Sequence, residues 1–406
     1  MNNRLLRLSF YIFFSIIVGV IVGIIDFIFS KGLNSVSQLR GEFFPYTLFF
    51  LPFAGILIIY LYEKYGKNSF KGMSLVFHSL ATKEALIPKR LIPFVIVSTW
   101  LTHFFGGSAG REGVAVQIGA TVANNFSTYL ENKFSIKVSE IKPILASCGV
   151  AAGFSGLFGT PLAATIFSME ILKIGILEYR SLLPSLVSAY TALFISNYLG
   201  LEHFSFILKD IPKANMKNIF IIIFCSLIFS FIGYFFSFLL KKIKINSYLL
   251  KLNPMKRIFI GSIFLALMLY FIHNGRYSGL GTNLIEYSFH DNTIYSYDWL
   301  LKILFTVLTL GIGFQGGEVT PLFSIGASLG FILGNLFNLS PKFMAAIGYC
   351  TVFSSATNTF LASVFIGLEI FGYDMTLYLF ISCAIAFVFS GDLGIYSDQK
   401  KNHHKF

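Results

Sequence analysis

Charge is what this sequence has least of. Asp, Glu, Lys and Arg make up 12% of its 406 residues, against about 25% in soluble domains. A soluble enzyme and a disordered chain both need far more. Cysteine is nearly absent as well: Cys148, Cys225, Cys350 and Cys383 all fall inside apolar runs without metal-ligand spacing, so they read as small buried side chains. No cofactor is expected. What is abundant is apolar surface, 55% of the chain with a mean hydropathy of +0.73. The apolar runs recur from residue 8 to residue 390 without a soluble break. One polytopic membrane unit over 1–406 is therefore expected. The net charge of +12 sits mostly in short segments between those runs, where bases set orientation. No nucleic-acid partner is implied.

The run Leu8 to Ser30 follows Arg4 and Arg7 and is too long for a signal h-region, so it reads as a first transmembrane helix. Further basic clusters are Lys64/Lys67/Lys71, Lys241 to Arg257, and Lys400/Lys401/Lys405. Two runs separate the first two clusters, which puts both on one side; the positive-inside rule makes that side cytoplasmic, with both termini there. Helical runs are expected over 8–30, 44–62, 92–105, 113–128, 143–172, 182–199, 217–240, 257–273, 299–313, 319–337, 343–372 and 376–390. Several are too short for a span of about 20 residues. Half-helices meeting inside protein are the natural reading.

The chain repeats itself. LASCGVAAGFSGLFGTPLAATIFSMEI (145–171) aligns without gaps on MAAIGYCTVFSSATNTFLASVFIGLEI (344–370), with Glu170 opposite Glu369. GREGVAVQIGA (110–120) pairs with GGEVTPLFSIGA (316–327), placing Glu112 opposite Glu318; GMSLVFHSL (72–80) pairs more weakly with GTNLIEYSF (281–289). Three matches in order suit a transporter built from two repeats, about 40–200 and about 217–396, with its site between them near the midplane.

Glycines from Gly106 to Gly110 let the backbone turn before a helix starts, and a helix N-terminus is an anion site. Glu112, placed there, can fill that site as a tethered carboxylate and vacate it when protonated, so one residue gates and carries protons. Glu318, Val319 and Thr320 stand at the mouth of a second helix opened by Pro321. Simple capping is the alternative for both acids. Glu170 and Glu369 read as structural acids that hold a helix end or a basic partner, with a part in transport as the alternative. Asp26 reads as interfacial near the outer end of the first helix, and Tyr396 as either an anion donor or a belt tyrosine. Gly106 to Gly110 also satisfy the serine-hydrolase pattern G-x-S-x-G around Ser108, with His103 nearby. No strand or triad order supports it. Gly19/Gly23, Gly149/Gly153 and Gly326/Gly330/Gly334 have small-xxx-small spacing, expected to pack helices closely.

These residues resemble the CLC family of anion channels and anion/proton exchangers, from about residue 66 to 396 with all motifs in order. GSAGREGVAVQIGA is similar to the family's gating-glutamate segment, GGEVTPLFSIGASLG to its second-repeat anion segment, and GIYSDQ to its terminal tyrosine segment. The resemblance implies an all-α, inverted-repeat fold of about 18 helices and a homodimer with one pathway in each subunit. No nucleotide-sensing tail is expected, since ten residues follow Tyr396. The departures are specific: KGMSL in place of the serine segment, Val114 where proline is usual, GGEVTP instead of G-x-F-x-P, and Ile171 where chloride/proton exchangers carry an inner glutamate. Each resembles the fluoride/proton antiporter branch. Carried over by position, Glu112 is the gate, Glu318 a second proton-transfer acid, and Met73, Gly110, Arg111, Gly113, Val114, Val319, Thr320 and Tyr396 border the anion path. The reading implied is export of fluoride against inward protons in the cytoplasmic membrane. A chloride or nitrate exchanger, or a passive chloride channel, is the alternative on the same fold; an intramembrane serine hydrolase is a remote one.

Overall fold

A computed structural model describes residues 2–82, 86–134, 141–249, 253–290 and 293–400. Lys401 and Lys405 of the last basic cluster lie outside them. Among the described residues there are seventeen α-helical segments and no strand; the only extended pairings are isolated bridges. Four helices are long and apolar enough to cross a membrane: Leu8–Phe43, Met216–Ile245, Pro254–Phe271 and Val319–Leu336. The remainder includes short, apolar pieces such as Leu91–Phe104 and Leu361–Phe371, as the interrupted runs imply.

The first helix extends from Asn2 to Phe43, well past the expected 8–30. Nothing between Lys31 and Arg40 breaks it, since polar residues cost little in a helix that already has its hydrogen bonds. That extension corrects the placement of Asp26. It lies mid-helix, fully buried against Gly156 of helix Ile141–Phe158, and neither carboxylate oxygen has a hydrogen-bond partner among the described residues.

Two expected runs split, and they split alike. The 143–172 run becomes Ile141–Phe158 and Pro161–Glu170. The 343–372 run becomes Pro341–Thr357 and Leu361–Phe371. The breaks fall at Gly159 (φ +81) and Asn358 (φ +53), repeat-equivalent positions in the left-handed region. Glycine and asparagine are the residues that tolerate it. Two short helices, Met73–Ala81 and Thr282–Phe289, were not among the expected runs because neither is long enough to register as a span.

Small residues set the helix spacing. Helix Glu112–Phe134 packs on Ile141–Phe158, and Val319–Leu336 on Pro341–Thr357, through glycine against backbone. A Cβ on Gly149 would lie 2.2 Å from the carbonyl oxygen of Gly119, and one on Gly326 would lie 2.2 Å from that of Gly348. The small-xxx-small glycines thus close contacts inside the protomer. Backbone cannot yield as a side chain does, so Gly149→Ala is expected to cost about 2 kcal/mol, read as a lowered melting temperature in detergent.

Glu170 and Glu369 cross between the repeats. The Glu369 carboxylate accepts from the amides of Leu162 (3.0 Å) and Ala163 (2.9 Å) at the start of Pro161–Glu170. Glu170 accepts from Phe360 (2.6 Å), Leu361 (3.3 Å) and Ala362 (3.0 Å) at the start of Leu361–Phe371. The two helices therefore lie antiparallel, each ending on the other's beginning. Pro161 has no N–H, which explains why one repeat has two bonds and the other three.

Candidate functional site

The segment from Gly106 to Arg111 is held at two points. The Ala109 amide donates to Gly279 O (3.2 Å) and the Gly279 amide to Gly107 O (3.0 Å). One residue on, Gly110 and Gly317 exchange backbone hydrogen bonds of 2.5 and 2.7 Å. Such close approach needs two glycines: a Cβ on Gly110 would lie 2.8 Å from Pro321 Cδ and 3.0 Å from Gly317 O. The pairing brings the start of Glu112–Phe134 against the start of Val319–Leu336. Two helix N-termini, one from each repeat, thereby face each other.

Glu112 fills the place where they meet. It is 1% exposed. Its Oε2 accepts from the Thr320 hydroxyl (2.5 Å), the Thr320 amide (3.1 Å) and the Arg111 amide (3.3 Å). The other oxygen lies 3.8 Å from Arg111 Nε and has no hydrogen-bond partner among the described residues. The carboxylate thus occupies chiefly the facing helix's N-terminus rather than its own. That helix has Glu318 as N-cap without a side-chain cap bond, so Glu112 supplies the negative charge its amides favour. Val114 and Val319, next in sequence to the two helix starts, are buried.

Glu318 turns the other way. Its Oε1 lies 3.6 Å from Lys244 Nζ, and the residue lines a cavity of about 420 Å³ together with Met73, Gln117 and Tyr396. The Tyr396 ring packs on Phe77 (5.4 Å between centroids) and Phe167 (6.4 Å). Lys71, Lys244 and Arg257 also line this cavity. Glu112 does not line this cavity; the Gly113–Gly317 contact separates it from Glu318.

The structure therefore brings Gly110, Arg111, Glu112 and Thr320 together, and gathers Met73, Glu318 and Tyr396 around the adjoining cavity. Sequence reasoning missed Gln117, whose Oε1 lies 3.2 Å from a Cβ built on Gly72, and Lys244. An amide in an otherwise apolar stretch was the available signal for Gln117. Ser108 is no hydrolase nucleophile: its hydroxyl receives Lys302 Nζ (2.8 Å) and meets Thr306 (2.9 Å). His103 is fully buried.

A helical membrane fold with paired half-helix starts around a buried acid defines a transporter or channel for small anions. Residues 54–391 match the family described as "Voltage gated chloride channel", and the chain belongs to that family, whose members are channels and transporters rather than enzymes. It is 33% identical over 396 residues to a "Chloride/fluoride channel protein" of Pseudomonas syringae pv. tomato, covering 96% of this chain and 86% of that one. A solved CLC-type fluoride/proton antiporter superposes with a TM-score of 0.94 at 45% identity, covering 98% of this chain and 99% of that one. A slow cyanobacterial Cl-/H+ antiporter shares the fold at a TM-score of 0.80 and 18% identity, with 95% of each chain covered.

Proposed function

We propose that this chain is a fluoride/proton antiporter that exports fluoride from the cytoplasm while protons move inward. The observation that carries the reading is the seat of the Glu112 carboxylate on the Thr320 amide and hydroxyl and the Arg111 amide. Those three donors converge on one oxygen, the arrangement a small, strongly hydrated anion needs to replace its water. Protonated, Glu112 no longer competes for them; it leaves with the proton, and fluoride takes its place. When it returns ionised, it expels the anion. Glu318 stands two residues before Thr320 and faces the cavity with Tyr396, a place from which a proton can pass between vestibule and gate. No acid stands at Ile171, so the route through Glu318 replaces the inner glutamate of chloride/proton exchangers.

Orientation follows from the bases. Lys71, Lys244 and Arg257, from two separate basic clusters, line the same cavity, and Lys400 accepts from the Ile174 amide through its carbonyl (3.1 Å) close by in sequence to Tyr396. The positive-inside rule makes this the cytoplasmic vestibule, with both termini on that side. Two subunits, each with its own pathway, form the working dimer.

The deciding experiment is efflux from proteoliposomes followed with fluoride and chloride electrodes while proton movement is recorded. Fluoride efflux with opposed proton movement and little chloride efflux is expected. Comparable chloride flux favours the chloride exchanger, and flux without protons the passive channel; either overturns the reading. Thr320→Val removes one of the three donors and keeps the shape. It is expected to slow fluoride transport about tenfold, the loss typical of one hydrogen bond to a charged group, without lowering the melting temperature.

A further inference from the structure

Helix Pro254–Phe271 joins two cavities. Arg257 near its start lines the Tyr396 vestibule, and the residues just beyond its end, His273 to Arg276, line a second cavity of about 750 Å³. A helix of this length separates them by roughly 27 Å, so they open towards opposite faces of the membrane.

The second cavity is the repeat counterpart of the first. Gly72 (φ +48) is the N-cap of Met73–Ala81 at the vestibule, and Gly281 (φ +87) is the N-cap of Thr282–Phe289 at the second cavity. These two starts align in sequence, GMSL on GTNL. Neither start is capped by a side chain; Leu284 and Ile285 donate to the Gly281 carbonyl, which leaves the amides of Thr282 and Asn283 without an intrahelical acceptor at the cavity wall. Ser278, also in that wall, is 5% exposed and its hydroxyl has no hydrogen-bond partner among the described residues.

Among the described residues the charge around the cavity has one sign: no Asp or Glu lines it, whereas Arg40 and Arg276 do. Arg276 is neutralised by Asp298 at 2.7 Å. Arg40 donates to the His103 carbonyl (3.2 Å) and has no carboxylate partner among the described residues. Behind the same wall Lys302, fully buried, spends its ammonium on Ser108 Oγ and the carbonyls of Tyr277 and Gly279 at 2.8, 3.2 and 2.9 Å. It has no carboxylate partner among the described residues. An arginine without such a partner, an uncapped helix start and an unpartnered hydroxyl call for an anion.

We propose that this cavity is a second binding site for a small inorganic anion, held by Arg40, the Ser278 hydroxyl and the first amides of Thr282–Phe289. It rests on the reading of the chain as an anion transporter and adds a holding site on the face opposite the Tyr396 vestibule. An anion released past Glu112 is retained there before it reaches bulk water.

The test is calorimetric titration of the full-length protein in detergent with sodium fluoride and, separately, sodium chloride, alongside proteoliposome efflux. Arg40→Gln combined with Ser278→Ala is expected to weaken anion binding about tenfold, and Arg40→Lys, which keeps the charge, to weaken it much less. Asn283→Asp, which sets a carboxylate on the cavity wall, gives the same loss by repulsion and covers the case in which the double variant does not fold. Unchanged affinity in a folded Arg40→Gln/Ser278→Ala or Asn283→Asp protein overturns the site. Absent efflux in the parent protein overturns the transport reading instead, and the titration still decides whether the cavity binds.

Discussion

Glu112→Gln abolishes proton movement and slows fluoride efflux by at least about tenfold. The amide keeps the size of the side chain and can still accept from Thr320 through its oxygen, so the gate region stays packed. What it loses is the exchange of a proton and a charge. A neutral side chain at the Val319–Leu336 N-terminus gains nothing from the helix field, and it has no ionised form with which to displace a bound anion. Both consequences follow from the single seat that the carboxylate occupies at Thr320. Parallel recordings of fluoride and pH in proteoliposomes check the result. Coupled exchange at the parent rate in Glu112→Gln would remove the gate assignment.

Glu170→Ala destabilises the protein by about 3 kcal/mol, more than any substitution at the gate. Three amides, of Phe360, Leu361 and Ala362, point at this one carboxylate, and Glu170 is buried. Removing it leaves donors without partners in an apolar interior, at about 1–3 kcal/mol for each group not rescued by water. Glu369→Ala, with two amides at stake and a more open site, is expected to cost less. Melting temperatures in detergent should rank parent, Glu369→Ala and Glu170→Ala in descending order. Equal melting temperatures would mean that the amides find other partners.

The sequence made the repeats, the glycine-rich helix starts and the short list of acids legible because each depends on local composition. Gly106 to Gly110 and Gly313 to Gly317 read as turns, and a Glu beside each stands out in an apolar chain. The splits at Gly159 and Asn358 were not legible, since a single left-handed residue inside a long apolar run does not interrupt its hydropathy. Asp26 was misplaced for a related reason: the end of the apolar run was taken as the end of the helix. Which N-terminus Glu112 occupies was beyond any local pattern, because it depends on the Gly110–Gly317 pairing of residues about 200 positions apart. The same holds for the cavity around Ser278, whose walls come from the first helix and from the second repeat.

Crossed capping by Glu170 and Glu369 has a consequence for the order of synthesis. When the first repeat has been made, the start of Pro161–Glu170 still has open amides, because the carboxylate that closes them is Glu369. At 5–20 residues per second that partner arrives roughly 10–40 s later. Until then Glu170 likewise has no helix to close. The first half of the chain therefore waits in the bilayer as an incomplete object, and the two halves lock in one late step rather than one after the other.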